Sequence, residues 1–423
     1  MRIFSDPGAN SRQGRGTRVA FHQKKGRITL MLGYFTEDQG SPDSPSPETW
    51  ECLATLLNLP EPLFEKTLFC VGYDFSSNAY LLQGDYLTLI DPGNDYTSLM
   101  DLFATGVKPT DIRKIVLTHG HMDHVGGTFE LFRGYPGYRD WEVEITLHEA
   151  GPDPLKKMAL DAGCRLREVR GGEILDLGGF PLEVIHTPGH TLDSISFYHA
   201  PSRTVFTGDV VLPHAMAEPD NEAGGRLDHY LYALRTLRKK DIAHVLPGHG
   251  GVAPHVGRQV IDATFEGLIK KQVGLETPFL EGAVMLAQQG LLEEALFYTE
   301  KDLADSPDES RTLEMKAFLL LDLGRNDEAA VIFDKILQQN PRHFYSLLGK
   351  GRALLGLGVY PASLGYLDQA LEINPQDPET LINKGLALYL SGRHDEAMDI
   401  EIFQKEFTRR LKQEFTGKPK ASA

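Results

Sequence analysis

The last third of the chain repeats with a period of 34 residues, and this periodicity constrains the fold more than any other feature of the sequence. Glycines and prolines recur at this spacing, at Gly290, Gly324, Gly358 and Gly392 and at Pro307, Pro341 and Pro375. Small residues keep the same spacing at Ala283, Ala317, Gly351 and Gly385. We expect each glycine at a turn between two helices and each proline after the second helix, where no backbone donor is needed. The period therefore predicts an array of closely packed helix pairs.

In its period and small residues, this array resembles the tetratricopeptide repeat, although the aromatic residue usual early in that repeat is mostly absent. The resemblance implies an all-α domain of about four units over residues 276–412. Such arrays bind peptides in a concave groove, so it also implies a protein or peptide partner. Self-association through the repeats is an equal alternative.

A dense group of histidines follows the predicted strand 114–117. The segment THGHMDH places His119, His121, Asp123 and His124 within six residues. On a tight loop, His119 and His121 can share one face while Asp123 and His124 turn toward a second point nearby. Nitrogen and oxygen donors arranged in this way suit two borderline cations.

Three further candidate ligands follow later strands, namely His190 after strand 182–185, Asp209 after strand 204–206 and His249 after strand 244–246. Short strands alternate with helices from about residue 70 to 251, which predicts a layered α/β domain with its chemistry on loops at strand ends. With the THGHMDH segment, this order of residues resembles the metallo-beta-lactamase superfamily over about residues 66–265. The resemblance implies an αββα sandwich.

The same resemblance implies two metal positions held by seven side chains. One metal would be bound by His119, His121 and His190, and the other by Asp123, His124 and His249, with Asp209 bridging both. Two divalent ions are therefore expected, with zinc the first choice and iron or manganese compatible with the same donors. A hydroxide shared by the two ions would act as the nucleophile, and Asp123 is the expected catalytic residue because it would orient the hydroxide proton.

Two residues outside the ligand set carry weaker predictions. Asp91, in Asp91-Pro92-Gly93, matches an early acidic position of the superfamily and would either support a ligand histidine or simply form a turn. His214, five residues past Asp209, is a candidate for substrate contact.

The predicted fold class is thus α/β, with a metallo-beta-lactamase αββα sandwich followed by an all-α tetratricopeptide repeat array. We expect an N-terminal extension over residues 1–62, disordered in part, a catalytic domain over 63–272 and a repeat domain over 276–412. Residues 1–30 carry seven Lys or Arg against one acid. This basic start could be a targeting or nucleic-acid-binding arm, but a disordered extension is the favoured interpretation.

The net charge and the composition of the chain restrict the kinds of partner that it is expected to bind. A net charge of −16 gives no broad attraction to nucleic acid or an anionic membrane, so neither is expected to bind. The sequence has no apolar run of about 18 residues, so no membrane helix is expected. It has only three cysteines, with no pair spaced as a metal-binding or redox motif, which predicts a cytoplasmic protein.

The resemblance leaves several activities open, because one fold hosts many reactions. A true beta-lactamase is disfavoured by Asp209, where the best-known secreted zinc enzymes have Cys, and by the lack of an export signal. Only 40 residues separate Asp209 from His249, too few for the extra domain of the nuclease branch. A group similar to glyoxalase II remains, which predicts hydrolysis of a small thioester, ester or lactone. The alternatives are an iron-dependent persulfide dioxygenase, a phosphodiesterase, or an adaptor acting through its repeats.

Overall fold

The computed structural model describes residues 18–24, 27–33, 50–73, 75–94, 96–134 and 142–416. The chain divides into two compact units, Met1–Leu268, here called the sandwich unit, and Ile269–Ala423, here called the repeat unit. Two strands of the N-terminal segment, β1 (Arg18–Lys24) and β2 (Arg27–Gly33), pair as an antiparallel hairpin. Residues 1–17, 25–26 and 34–49 lie outside the described residues, so the predicted disorder of the extension stays a prediction.

The first sheet of the sandwich unit has seven strands in sequence order. They are β3 (Glu51–Cys52), β4 (Thr67–Cys70), β5 (Ala79–Gln83), β6 (Leu87–Ile90), β7 (Ile112–Val116), β8 (Glu144–His148) and β9 (Arg165–Val169). Pairing is antiparallel from β3 to β6 and parallel from β6 to β9. Two short helices, α1 (Leu53–Leu57) and α2 (Pro62–Glu65), separate β3 from β4. Residues 51–62, which the sequence analysis placed in the extension, thus join this sheet through β3 and bury Leu53 completely.

The second sheet has five strands, again in sequence order. They are β10 (Ile174–Asp176), β11 (Pro181–His186), β12 (Ile195–His199), β13 (Thr204–Gly208) and β14 (His244–Pro247). Only β13 and β14 are parallel, and a long connection that contains α6 (Leu227–Arg238) joins them. The helix α7 (Gly257–Val273) follows β14.

Strand β5 shows how the period-two pattern builds this sandwich. Tyr80 and Leu82 lie in the core between the sheets, with Phe197 and Phe206 of the second sheet. Leu81, on the opposite face of β5, lies in a second core under the helices. Those helices are α3 (Thr97–Ala104), α4 (Met122–Gly134) and α5 (Asp153–Asp161), and a 3-10 turn (Pro109–Asp111) precedes β7. A strand buried on both faces therefore reads as a nearly continuous apolar run.

The repeat unit is helical throughout its described part. Its helices after α7 are α8 (Phe279–Gln288), α9 (Leu292–Asp305), α10 (Ser310–Asp322), α11 (Asn326–Gln339), α12 (Phe344–Gly356), α13 (Tyr360–Ile373), α14 (Pro378–Leu390), α15 (His394–Met398) and α16 (Glu401–Thr416). The four periodic glycines all have positive φ, between 74° and 84°, at the turns within helix pairs. This conformation costs glycine little and other residues more. The predicted architecture, a β-sheet sandwich followed by a helical repeat region, is confirmed.

Three ion pairs, which we call the lysine ladder, repeat with the same period. Each joins the second helix of one pair to the first helix of the next, as Lys316–Glu300 at 3.3 Å, Lys350–Asp334 at 2.6 Å and Lys384–Asp368 at 2.7 Å. The middle lysine is 8% exposed, and its Nζ also donates to the Ala330 carbonyl at 3.2 Å. None of the helices in the described ranges is both long and apolar enough to cross a membrane.

Candidate metal centre

The seven predicted ligands lie on loops that leave the carboxyl ends of four strands. The loop after β7 carries His119 and His121 and runs into α4, whose first turn carries Asp123 and His124. His190, Asp209 and His249 follow β11, β13 and β14. The structure brings all seven together as two groups, and within each group the potential ligand atoms lie within 4.8 Å of one another. We call them the first cluster (His119, His121, His190) and the second cluster (Asp123, His124, Asp209, His249).

Three nitrogen atoms converge in the first cluster. His121 Nδ1 lies 3.2 Å from His119 Nε2 and 3.0 Å from His190 Nε2. The outward nitrogens of two of these rings have acceptors, since His190 Nδ1 donates to the Glu218 carbonyl at 2.7 Å and His121 Nε2 donates to Asp220 Oδ2 at 2.9 Å. Because carbonyl and carboxylate oxygens only accept, these bonds leave inward lone pairs on His121 and His190. This is the tautomer that a metal ion needs.

The second cluster combines imidazole and carboxylate groups around the Asp209 carboxylate. His249 Nε2 lies 3.0 Å from Asp123 Oδ2, and His124 Nε2 lies 3.3 Å from Asp209 Oδ1. The other oxygen, Asp209 Oδ2, lies 3.6 Å from His249 Nε2 and 3.8 Å from His190 Nε2 of the first cluster. Asp209 therefore faces both clusters, as a bridging ligand would.

Two buried atoms show that these residues suit a cation. Neither His124 Nε2 nor Asp209 Oδ1 has a hydrogen-bond partner within the described part of the chain. A buried polar atom without a partner is costly, and an imidazole nitrogen beside a carboxylate oxygen is a good donor pair for a divalent ion. Gly248 allows this close packing, because a Cβ there would lie 2.3 Å from Asp209 Oδ1 and 2.7 Å from His124 Cε1. The donor set therefore fits two divalent metal ions.

Electrostatics favour an ionised Asp209 and a neutral His119, the forms that bind a metal ion, whereas they favour a protonated His124. Burial by itself raises the pKa of the Asp209 carboxyl, but the neighbouring imidazoles, His124 first, lower that pKa below its usual value. Burial lowers the pKa of His119, and the His124 imidazole lowers it further. Burial also lowers the pKa of His124, yet the carboxylates of Asp209 and Asp91 raise it overall, so a cation there would displace a proton.

Asp91 contacts His124, as its predicted role of supporting a histidine requires. Its Oδ2 accepts hydrogen bonds from His124 Nδ1 at 2.8 Å and from the Thr118 hydroxyl at 2.6 Å. Its Oδ1 accepts from the Thr118 backbone N–H at 2.8 Å. The residue is buried and has a left-handed backbone with φ of 47°. Asp91 therefore makes the contact with His124 that the support role requires, and it is more than a turn residue.

Other histidines lie outside both clusters. His214 is exposed and lies beside Gly250 and Gly251, the two residues that follow His249 in the sequence. Its contact with substrate stays a prediction. His148 and His186 stack with ring centroids 4.1 Å apart, and His186 Nε2 donates to the Leu192 carbonyl.

Sequence reasoning missed the role of residues 218–226, which we call the clasp. The helix α6 begins only at Leu227, so the clasp lies in the connection between β13 and α6. The clasp before it supplies Glu218 and Asp220 to the first cluster. The neighbouring Asn and Gly residues predict a turn here. A contact with His121, 99 residues earlier, has no local signal.

Comparison with known proteins decides the family. The family model described as the metallo-beta-lactamase superfamily matches residues 72–249, and the tetratricopeptide repeat model matches residues 315–378 and 357–401. Hydroxyacylglutathione hydrolase GloC of Haemophilus influenzae is 31% identical over 187 residues, which cover 42% of this chain and 86% of that protein. The probable metallo-hydrolase MJ0888 of Methanocaldococcus jannaschii is 32% identical over 197 residues, covering 43% of this chain and 91% of that protein.

The chain belongs to the metallo-beta-lactamase superfamily. At the level of the family, the prediction of a metallo-hydrolase with C-terminal tetratricopeptide repeats is therefore confirmed. The atrochrysone carboxyl ACP thioesterase of Aspergillus fumigatus is 29% identical over 187 residues, 44% of this chain, and the chain spans only 54% of that relative's length. A solved structure, the metallo-beta-lactamase family protein TTHA1429 from Thermus thermophilus, is 22% identical with a TM-score of 0.40, covering 57% of this chain and 94% of that one.

Proposed function

We propose that the protein is a metal-dependent hydrolase that cleaves a thioester, ester or lactone. The arrangement of Asp209 between two clusters carries this proposal, because one carboxylate then positions both halves of a dinuclear centre. His119, His121 and His190 would hold one divalent ion and Asp123, His124 and His249 the other, with zinc the first choice. A pair of such ions lowers the pKa of bound water and polarises a carbonyl oxygen.

The protein's own groups then handle the proton. Asp123 is the proposed catalytic residue, since its Oδ2 lies in the second cluster, 3.0 Å from His249 Nε2, while its side chain keeps contact with solvent. Burial raises the pKa of Asp123, but the hydrogen bond from His249 and the nearby His124 imidazole lower it overall, so the carboxylate is ionised. An ionised, oriented carboxylate can accept the proton of the attacking water.

Among the acyl substrates, a thioester is the best supported. Two relatives of this chain are a hydroxyacylglutathione hydrolase and an ACP thioesterase. A water nucleophile and a polarised carbonyl are also what thioester hydrolysis needs, without a Ser or Cys nucleophile.

The test is a substrate panel on protein loaded separately with zinc, manganese or iron. It contains a generic thioester, ester and lactone, DNA and RNA, and a persulfide with oxygen uptake recorded. We expect about two ions per chain and acyl hydrolysis that is lost on chelation, in Asp209→Ala and in His121→Ala. His394→Ala, which changes an exposed histidine of the repeat unit, should leave hydrolysis unchanged.

Two outcomes would replace the proposal. Nuclease turnover far above acyl hydrolysis would show a phosphodiesterase, and persulfide-dependent oxygen uptake with iron alone would show a dioxygenase. Unchanged metal content in Asp209→Ala would remove the bridging assignment on which the dinuclear centre depends.

The tetratricopeptide repeats indicate protein interaction in addition to hydrolysis. We propose that they bind a protein or peptide partner or a second copy of the chain. Sedimentation of the purified protein over a range of concentrations separates the two, because self-association depends on concentration and a monomer at all concentrations would leave only the partner.

A further inference from the structure

The clasp lies directly against the first cluster and contacts two of its three histidines. The Glu218 carbonyl accepts from His190 Nδ1 at 2.7 Å, and the Asp220 backbone N–H donates to the His190 carbonyl at 2.8 Å. Asp220 Oδ2 accepts from His121 Nε2 at 2.9 Å. One loop therefore orients the side chains of both histidines and the backbone of His190.

The two oxygens of Asp220 do different work. Oδ1 accepts from the backbone N–H groups of Glu222 at 2.9 Å and Ala223 at 3.3 Å, which closes the turn of the clasp. Oδ2 is left for His121, and this bond fixes the ring so that its Nδ1 faces the other two histidines. Because each oxygen makes its own hydrogen bonds, a substitution can separate closure of the turn from the contact with His121.

We propose that Asp220 is a positioning residue for His121, and that the clasp controls how tightly the first cluster binds its metal ion. This inference rests on the proposed metal centre and concerns its assembly. A carboxylate that accepts from the outer nitrogen of a ligand histidine fixes the tautomer and raises the basicity of the inner nitrogen.

The second cluster has a matching carboxylate in a different setting. Asp91 holds His124 as Asp220 holds His121, but the Asp91 side chain is 3% exposed and that of Asp220 is 37% exposed. The support of the second cluster is part of the core, whereas the support of the first comes from a surface loop. The two ions therefore depend on different parts of the fold.

A glycine shows how closely the clasp is packed. A Cβ on Gly225 would lie 2.2 Å from the His190 carbonyl oxygen and 2.6 Å from the Asp220 backbone nitrogen. The clasp thus packs directly against the backbone of His190, with no room for a side chain between them.

Asp220→Asn is the sharpest test, because asparagine has one oxygen where aspartate has two. That oxygen can close the turn or accept from His121, and the amide nitrogen cannot accept from an N–H group. Asp220→Ala removes both bonds. Glu222→Gln is the matched control, since it removes one charge from the same turn and keeps the backbone N–H that binds Asp220.

The measurement is metal affinity of the full chain, determined for zinc and for cobalt by competition with a chelator. The absorption spectrum of the cobalt protein is recorded alongside. Asp220→Asn should weaken one of the two ions by about 10- to 100-fold, with unfolding of the metal-free protein unchanged. Glu222→Gln should stay within about twofold of wild type. The variant His249→Ala should keep only the ion bound by the first cluster, and adding Asp220→Asn to it should release that ion. In the wild-type chain, Asp91→Asn should instead weaken the ion bound by the second cluster.

Wild-type metal affinity in Asp220→Asn would overturn the inference. Damage in Asp220→Ala alone would do the same, because it would show that Asp220 only closes the turn. A protein that binds two ions tightly but hydrolyses none of the acyl substrates would reject the proposed activity and leave the role of Asp220 standing.

Discussion

In the repeat unit the residues that fix the fold stand 34 positions apart, whereas in the sandwich unit the seven clustered side chains span residues 119–249 and come from two sheets. Their glycines show the difference. Gly324 has φ of 74° and a Cβ there would meet nothing within 4 Å, so backbone conformation alone explains it. Gly248 has no such φ, but a Cβ there would strike Asp209 and His124. Local conformation dictates the first position, and distant side chains dictate the second.

Gly248→Ala should therefore have the largest effect. The added methyl group would push Asp209 and His124 apart, and we expect the loss of one ion and a fall of about 100-fold in hydrolysis, similar to the loss of a supporting contact at a metal site. Gly324→Ala is the matched variant, and it should cost about 1 kcal/mol of stability through its left-handed backbone, with metal content unchanged. Elemental analysis and urea unfolding measure the two effects. Two tightly bound ions in Gly248→Ala would contradict the packing argument.

Substitutions in the lysine ladder test how the periodic contacts of the repeat unit contribute to its stability. Asp334→Ala removes the anion from the buried Lys350 ammonium, which should cost about 2 kcal/mol, less than a fully buried pair because Asp334 is itself half exposed. Asp368→Ala removes the partner of the more exposed Lys384 and should cost at most about 1 kcal/mol. Far-UV circular dichroism follows the helices, while tryptophan fluorescence follows the sandwich unit, which contains Trp50 and Trp141. Equal costs, or a loss of metal in either variant, would contradict this prediction.

A further expected effect is a dependence of stability on pH that arises in the sandwich unit. Burial, with the stacked His186 imidazole, lowers the pKa of His148 to about 4. The unfolded chain, with a histidine pKa of about 6.5, binds the proton first, so this contribution to stability is complete above about pH 6.5 and is lost as the pH falls toward 4. Fluorescence-detected unfolding at pH 7 and pH 5 should show a larger drop for wild type than for His148→Gln. Equal drops would rule out His148 as the source.

Where structure is local or periodic, the sequence predicted it well. Gly290, Gly324, Gly358 and Gly392 were assigned to turns from their spacing alone, and all four have the expected conformation. The seven clustered side chains were recognisable because a dense His and Asp segment and three later strand ends occur in a characteristic order. The lysine ladder has an equally periodic signal, since Lys316, Lys350 and Lys384 keep the 34-residue spacing.

Contacts between distant segments were not predictable. Nothing near Asp220 points to His121, because their contact depends on how the whole sandwich places the loop after β7 and the connection before α6. Residues 51–62 follow a linker-like segment and have no strong strand pattern, yet β3 pairs with β4. Tertiary packing decides both cases, and a single sequence records it only indirectly.

The left-handed backbone of Asp91 has a consequence for the kinetics of metal uptake. A non-glycine residue at φ of 47° stores about 1 to 3 kcal/mol of strain, which the buried bonds to Thr118 and His124 hold in place. Because these bonds lie within the chain, we expect folding alone to orient His124. Capture of an ion by the second cluster then requires no ordering of the backbone, and its rate should follow the rate at which the incoming cation sheds water. A slowly dehydrating ion such as nickel should enter more slowly than zinc, even where both finally bind.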